Sequence, residues 1–282
     1  MKRDKLNVFM IRFPLGLFIV FALGLNASAA DFPQGLVLQF NFDQMENNGM
    51  VVDRSGHGNA RVFGAKWSPY GKQGSGCEFF LTNSCLAVAN NSSLNLTQAT
   101  FAVWFKVLKP GSYDRFILDK GMENGFAFGI GGATNGSRLG FTVCNNVCVG
   151  DGPVADGQWH HGAATCDGES LKLYVDGKLQ QQVIPWRGEI PPSTNDLVIG
   201  MSRSNQATLE QKQSFDGMID DLMIFNHALS ESEVQVVMAS VKPKFTREQV
   251  AQRLKELKEL YDRGLLTKEF YDRKAAECEV SP

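Results

Sequence analysis

Residues 158–180 read QWHHGAATCDGESLKLYVDGKLQ. Two Asp-Gly dipeptides, Asp167-Gly168 and Asp176-Gly177, stand nine residues apart, and between them Leu171, Leu173 and Val175 alternate with Lys172 and Tyr174. Alternation at period two marks a half-buried strand. Asp-Gly supplies the positive φ that a tight hairpin demands. The stretch therefore reads strand, turn, strand, turn.

The same pattern extends both ways. Leu36, Leu38 and Phe40 alternate; so do Phe101, Val103 and Phe105 around Ala102, Trp104 and Lys106, and Leu197, Ile199 and Met201. Further Asp-Gly pairs begin at Asp151, Asp156 and Asp216, and Asn-Gly pairs at Asn48, Asn124 and Asn135. Roughly a dozen strands at spacings of about 8–12 residues predict a mainly β, antiparallel sandwich. No helix-length periodic segment interrupts them, which excludes an α/β fold.

Composition agrees. The 282 residues are 43% hydrophobic and 21% charged, a globular balance that excludes disorder and a multi-pass membrane protein. Six cysteines are too sparse for a disulfide-dense miniprotein. A net charge of −2 gives no charge-driven affinity for nucleic acid.

The N-terminus reads as a secretory signal over residues 1–30. Lys2, Arg3, Lys5 and Arg12 precede an apolar run from Phe13 to Leu25, and Asn26-Ala27-Ser28-Ala29-Ala30 offers small residues for cleavage. The run is short for a membrane span, so no transmembrane segment is expected after cleavage. The location is then secreted or periplasmic, in a bacterium. Export permits disulfides. Cys144 and Cys148 flank a short turn and are the first expected pair; Cys77 and Cys85 flank another and are the second.

At Ser230 the pattern changes. Ser230 and Glu233 form a capping box, with Leu229 and Val234 placed as a hydrophobic staple, predicting a helix to about Ser240. Pro243 marks a linker. Of the last 39 residues, 17 are charged. Thr246 and Gln249 make a second capping box, with Phe245 and Val250 as its staple; Val250, Leu254, Leu257 and Tyr261 recur at helical spacing. Gly264 stops that helix, and Thr267 starts another carrying Phe270. The expected domains are a sandwich over 31–241 and a short helical hairpin over 242–282. The hairpin is too small to fold alone, so association of copies through 244–282, giving a homo-oligomer, competes with docking onto the chain's own sandwich.

Four segments in order, 38–64, 74–96, 158–180 and 215–234, resemble the laminin G-like, concanavalin A-like lectin/glucanase jelly-roll modules of bacterial secreted proteins. The tail, VAQRLKELKELYDRGLLTKEFYDRKAAE (250–277), resembles the short C-terminal oligomerisation module called SHOCT. The first resemblance implies two packed antiparallel sheets, a carbohydrate or protein ligand, and in many members a structural calcium. It also admits glycosidases and lyases, so function rests on sites.

Retaining glycosidases on this fold set carboxylates at alternate positions of one strand, about 5 Å apart. No such motif occurs, and Asp220 and Asp221 are adjacent, which places them on opposite faces of a regular strand. No G-x-S-x-G elbow exists. No catalytic residue and no enzyme is expected. His160 and His161 are likewise neighbours on a strand and cannot jointly chelate a metal.

Calcium takes about six to eight oxygens on a kinked loop. Asp43, Asp53 and Asn59 offer them, with Gly56 and Gly58 free to turn carbonyls inward; related folds add an Asp from the last strand, which maps onto Asp220. The competing reading is that Asp53 and Asn59 cap turns and Asp220 meets a backbone amide. For ligand contact, Trp104 and Trp159 read as core, whereas Trp67 with Tyr70, and Trp186 with Arg187, sit in Gly/Pro-rich loops where a ring could stack on a sugar. The favoured reading is an exported, non-catalytic module binding a glycan or protein surface, multimerised by its tail. The alternatives are a structural assembly protein with the sandwich as spacer, and a glycoside hydrolase or polysaccharide lyase.

Overall fold

A computed structural model describes residues 31–43, 49–80, 84–107, 110–111, 113–131, 136–202, 214–240, 247–276 and 278. The export signal at 1–30, the Asn48 and Asn135 turns, Pro243, and Phe245 and Thr246 of the second capping box lie outside them.

Strands run in the order β1 (Leu36–Phe40), β2 (Met50–Val51), β3 (Ala60–Phe63), β4 (Lys66–Ser68), β5 (Gly76–Phe79), β6 (Cys85–Val88), β7 (Ala99–Lys106), β8 (Arg115–Asp119) and β9 (Phe126–Ile130). There follow β10 (Arg138–Val143), β11 (Asn146–Pro153), β12 (Trp159–Cys166), β13 (Ser170–Val175), β14 (Lys178–Leu179), β15 (Ile184–Pro185), β16 (Leu197–Ile199) and β17 (Gly217–Phe225). Three helices close the chain: α1 (Glu231–Ser240), α2 (Arg247–Asp262) and α3 (Lys268–Ala276).

The strands form two antiparallel sheets. The first runs β14-β13-β12-β7-β17-β5-β4, with β1 also on β17 and β15 also on β13; the second runs β11-β10-β9-β8-β16-β6-β3-β2. This is the expected sandwich. Its core lies between the sheets, where Phe101, Val103 and Phe105 of β7 meet Phe128 of β9 and Phe141 of β10. Phe101 sits 4.5 Å from Phe126 and 5.5 Å from Phe141, ring centre to ring centre. Such rings dominate burial, each removing about 150–250 Å² from water.

Because Phe101, Val103 and Phe105 face inward, Trp104 faces outward, and so does Trp159 on the adjacent strand β12. Both are half-buried; they are not core residues as expected. The outer face of the first sheet is divided. Over one half, α1 lays Val234 and Val237, with Leu229, on Ala102, Ala163, Tyr174 and Met223. The capping box forms as read: the Ser230 amide donates to Glu233 Oε2 at 2.8 Å, and the Glu233 amide donates to Ser230 Oγ at 3.3 Å.

Asp176-Gly177 makes the β13–β14 turn, with φ of 50° and 74°. Asp151-Gly152, read as a turn, lies inside β11, where Asp151 Oδ1 accepts the Gln181 amide at 3.0 Å. In the tail, Gly264 at φ 70° ends α2, and the Leu265 amide reaches back to the Leu260 carbonyl at 3.0 Å. Tyr261 stacks on Tyr271 at 5.0 Å to join α2 and α3.

The cysteines stand as free thiols, and register explains why neither expected pair forms. The β10–β11 turn is made by Cys144 and Asn145 themselves, both at positive φ, so Cys148 lies opposite Phe141 rather than Cys144. Cys77 faces the core from the first sheet, whereas Cys85 packs with Val198 and Met201 on the far face of the second. A bridge requires Cα atoms within about 7 Å and facing Cβ vectors; residues on opposite sides of a sheet do not provide them.

Candidate ligand edge and its supports

The strand β17 changes partner along its length. Gly217–Ile219 pair with β5, and Leu222–Phe225 pair with β1, while β7 flanks the other side. At the fork the register slips between Asp220 and Met223, and Asp221 takes φ 44°. Bulges of this kind bend a strand and end a pairing. The slip also breaks the strict alternation that would set these two acids on opposite faces.

Asp220 fills the fork. It is fully buried, and its oxygens accept the Gln73 amide at 3.0 Å, the Asp221 amide at 2.9 Å and the Lys72 amide. Burial pushes both acids above the ordinary carboxylate range; at Asp220 the neighbouring Asp221 charge adds to the rise and the amide donors work against it. The loop Gly71–Gly76 is thereby pressed onto the sheet. A Cβ on Gly71 would stand 2.6 Å from Asp220 Oδ2, so only glycine permits the approach.

Asp53 does the same for the neighbouring loop. Its two oxygens accept five donors: the amides of Gln39, Ser55, His57 and Gly58 at 2.8–2.9 Å, and the Ser55 hydroxyl at 2.8 Å. Asn59 Oδ1 accepts the Asp53 amide at 2.9 Å, and Asp43 is held by the Asn41 amide group at 2.9 Å. Asp53 and Asn59 thus share one loop, and Asp220 stands at the fork in the other sheet. Among the described residues no three His, Cys, Asp or Glu side chains gather as a metal would need. The donor set does not fit calcium, because amide hydrogens already occupy the oxygens it would require.

These supports carry an exposed aromatic edge. Trp67 lies on β4, the edge strand of the first sheet, 43% exposed, with its indole N–H donating to the Phe42 carbonyl at 3.0 Å. Tyr70 follows, 56% exposed. Lysines surround them. Lys66 Nζ lies 5.2 Å from the Phe80 ring centre, Lys72 Nζ 4.5 Å from Trp104, and Lys274 of α3 5.0 Å from Tyr70. The other expected contact is separate. Trp186 is half-buried against the core just after β15, and Arg187 beside it is exposed. From β4 to β13, the partner of β15, is five strand spacings, about 24 Å. The two aromatic sites cannot share one short ligand. The lysine–ring contacts were not read from the sequence, although a Gly-rich run 71–76 before a strand and an Asp-Asp pair inside the apolar run GMIDDLMIF were visible signs of a bent, closely approached sheet.

The histidines of β12 divide by face. His161 is buried edge-on to Trp104 at 5.3 Å, and burial lowers its pKa to about 4. His160 sits 2.9 Å from Asp176 and 3.2 Å from Asp156, and the hydrogen bond to Asp176 raises its pKa.

Two outcomes follow from this geometry. The melting temperature in excess EDTA equals that in millimolar calcium, as a thermal scan would show; a rise with calcium would restore a metal to these loops. The second concerns acid. The unfolded chain protonates His161 near pH 6.5 while the folded chain resists until about 4, so stability falls as pH drops through that window, by up to about 3 kcal/mol. His160 has the opposite sign: its raised pKa adds stability below about 6.5 that is lost as pH climbs through the folded value. A His161→Phe variant should therefore lose less stability between pH 6.5 and 4, measured by urea unfolding at each pH.

Comparison with known proteins bears on this architecture. The family model for the concanavalin A-like lectin/glucanases superfamily matches residues 82–235; β1–β5, with the aromatic edge, precede that match. The binding domain of Paraclostridial Mosquitocidal Protein 1 superposes with a TM-score of 0.58 at 18% identity, over 73% of this chain and 52% of that one. Domain 4 of AbnA, a GH43 extracellular arabinanase from Geobacillus stearothermophilus solved with arabinotriose, gives 0.56 at 17% identity, over 72% and 98%. A botulinum neurotoxin type C structure, whose cell entry depends on two ganglioside molecules, gives 0.56 at 18%, over 74% and 51%. The chain spans about half the length of the two toxin chains. No curated protein sequence matches it. With two antiparallel sheets in place and the family match covering more than half of its residues, the chain belongs to the concanavalin A-like lectin/glucanases superfamily.

Proposed function

We propose that the chain is an exported, non-catalytic module that binds a carbohydrate through the β4 edge. The carrying observation is the exposed pair of Trp67 on the edge strand β4 and Tyr70 two residues past its end, with the indole N–H of Trp67 already committed to Phe42 and much of each ring open to solvent. Aromatic faces held this way suit the apolar face of a sugar ring at little ordering cost. The arabinotriose of the AbnA domain and the gangliosides of the botulinum toxin support a glycan as ligand; a botulinum binding domain with synaptotagmin supports a protein surface as the other class. Against catalysis stands the fork: its two adjacent acids are buried, and Asp220 is bonded to backbone amides. Export rests on the basic and apolar pattern of residues 1–30.

A panel of soluble polysaccharides in affinity electrophoresis tests this. At least one should retard the mature protein; Trp67→Ala and Tyr70→Ala should each weaken retardation about tenfold or more with little change in melting temperature, since stacking is worth about 1.4 kcal/mol or more at such a site. Trp186→Ala should instead lower the melting temperature and leave retardation in place. Reducing-sugar release from the same panel would contradict the non-catalytic reading.

A second role falls to the tail. Leu260 and Leu265 stay exposed, the latter at 60%, after α2 and α3 have packed together. Self-association through 244–282, as in a SHOCT-like module, would cover them and add avidity to weak contacts. Light scattering of the mature chain with and without 244–282 decides it: a multimer that becomes a monomer on truncation is expected, and two monomers would remove the claim.

A further inference from the structure

We infer that the glycan taken at the β4 edge carries carboxylates, as a uronic or sialic acid polymer does, and that the tail helix α3 supplies one of the cations that reads them. This rests on the carbohydrate reading above and narrows it.

The seven residues from Lys66 to Lys72 hold two exposed lysines and two exposed aromatic rings, and α3 brings a third lysine, Lys274, to the face of Tyr70. Lys66 and Lys72 lie on rings rather than against carboxylates. Of the acids nearby, Glu78 shares a face with Lys66, and the other two are engaged elsewhere. Glu78 stands across from Lys66 in the β4–β5 ladder, Asp43 is held by Asn41, and Asp220 is buried beneath the loop with its oxygens on backbone amides.

Lys66 and Lys72 rest on Phe80 and Trp104 in contacts worth only about 0.5–1 kcal/mol each in solvent. A ligand anion competes well for such an ammonium, and a shift of Lys274 away from Tyr70 uncovers the aromatic face on which a sugar stacks. A carboxylate and a pyranose ring on the same residue of a polymer would meet both halves of this arrangement together. A neutral polysaccharide would have to displace Lys274 from Tyr70 and offer it nothing in return. The contact also gives the tail a task at the site itself, independent of whether copies associate.

The test compares polymers that differ in charge alone. The full mature chain is titrated with polygalacturonate and with polysialic acid, each beside its fully methyl-esterified form, at low and at high salt. At least one acid form should bind about tenfold or more tighter than its ester at low salt. That advantage should shrink at high salt as exposed charges are screened. Lys72→Gln and Lys274→Gln should each weaken the acid form several-fold without weakening the ester, and leave the melting temperature unchanged. Lys274→Gln should do so without changing the mass by light scattering, which separates a contact from avidity. Esters that bind as well as acids, with dependence on Trp67 and Tyr70, would overturn the inference and leave the carbohydrate reading intact. Acid forms that do not bind at all would overturn it as well, and a hit among neutral members of the wider panel would then keep the broader reading. No hit on either set would remove both.

Discussion

The carboxylate of Asp220 closes the gap that opens where β17 leaves β5 and takes up β1. A strand that changes partner must leave backbone amides without a ladder, and buried amides without acceptors cost about 1–3 kcal/mol each. One amide of the strand, that of Asp221, and two of the neighbouring loop, those of Lys72 and Gln73, converge on this one side chain. The loop from Gly71 to Gly76 is therefore held against the sheet by a polar group in an otherwise apolar strand. That placement sets β4 as a rigid edge and brings Lys72 over Trp104. Asp53 repeats the device at the neighbouring loop, binding its turn through five donors.

The fold was legible because most of it obeys local rules. Strict alternation in β7 and β13, Asp-Gly at the β13–β14 turn, the Ser230–Glu233 capping box and Gly264 at the end of α2 each state their structure within a few residues. What escaped the reading depends on registers that no local pattern carries. Cys144 reads as a strand end, but Cys144 and Asn145 themselves form the turn. Cys77 and Cys85 are eight residues apart and lie on different sheets. Asp151-Gly152 has turn chemistry and sits within β11 because its carboxylate bonds the distant Gln181 amide. Trp104 looks like core by residue type, yet the pairing of Phe101, Val103 and Phe105 with the opposite sheet turns it outward.

The candidate site was half legible. Trp67 and Tyr70 were singled out by composition, and both are exposed. Trp186 was singled out for the same reason and packs on the core instead. Sequence could not separate the two cases, because a loop tryptophan's fate is decided by what the loop lies against. Nor could it place Lys274, two hundred residues beyond Tyr70, at that ring. The acids proposed as calcium ligands have the right oxygens, but glycine-rich loops offer amides as readily as carbonyls, and here amides took the positions.

The account stands or falls on Asp220 organising the loop that bears the edge. Amide hydrogen exchange of an Asp220→Ala variant measures this directly. The amides of Lys72 and Gln73 should lose protection by about tenfold or more while those of β17 paired to β1 keep theirs, because the opening is confined to the fork. Unchanged protection of Lys72 and Gln73 in a folded variant would show that the loop is held by something else, and would contradict the account.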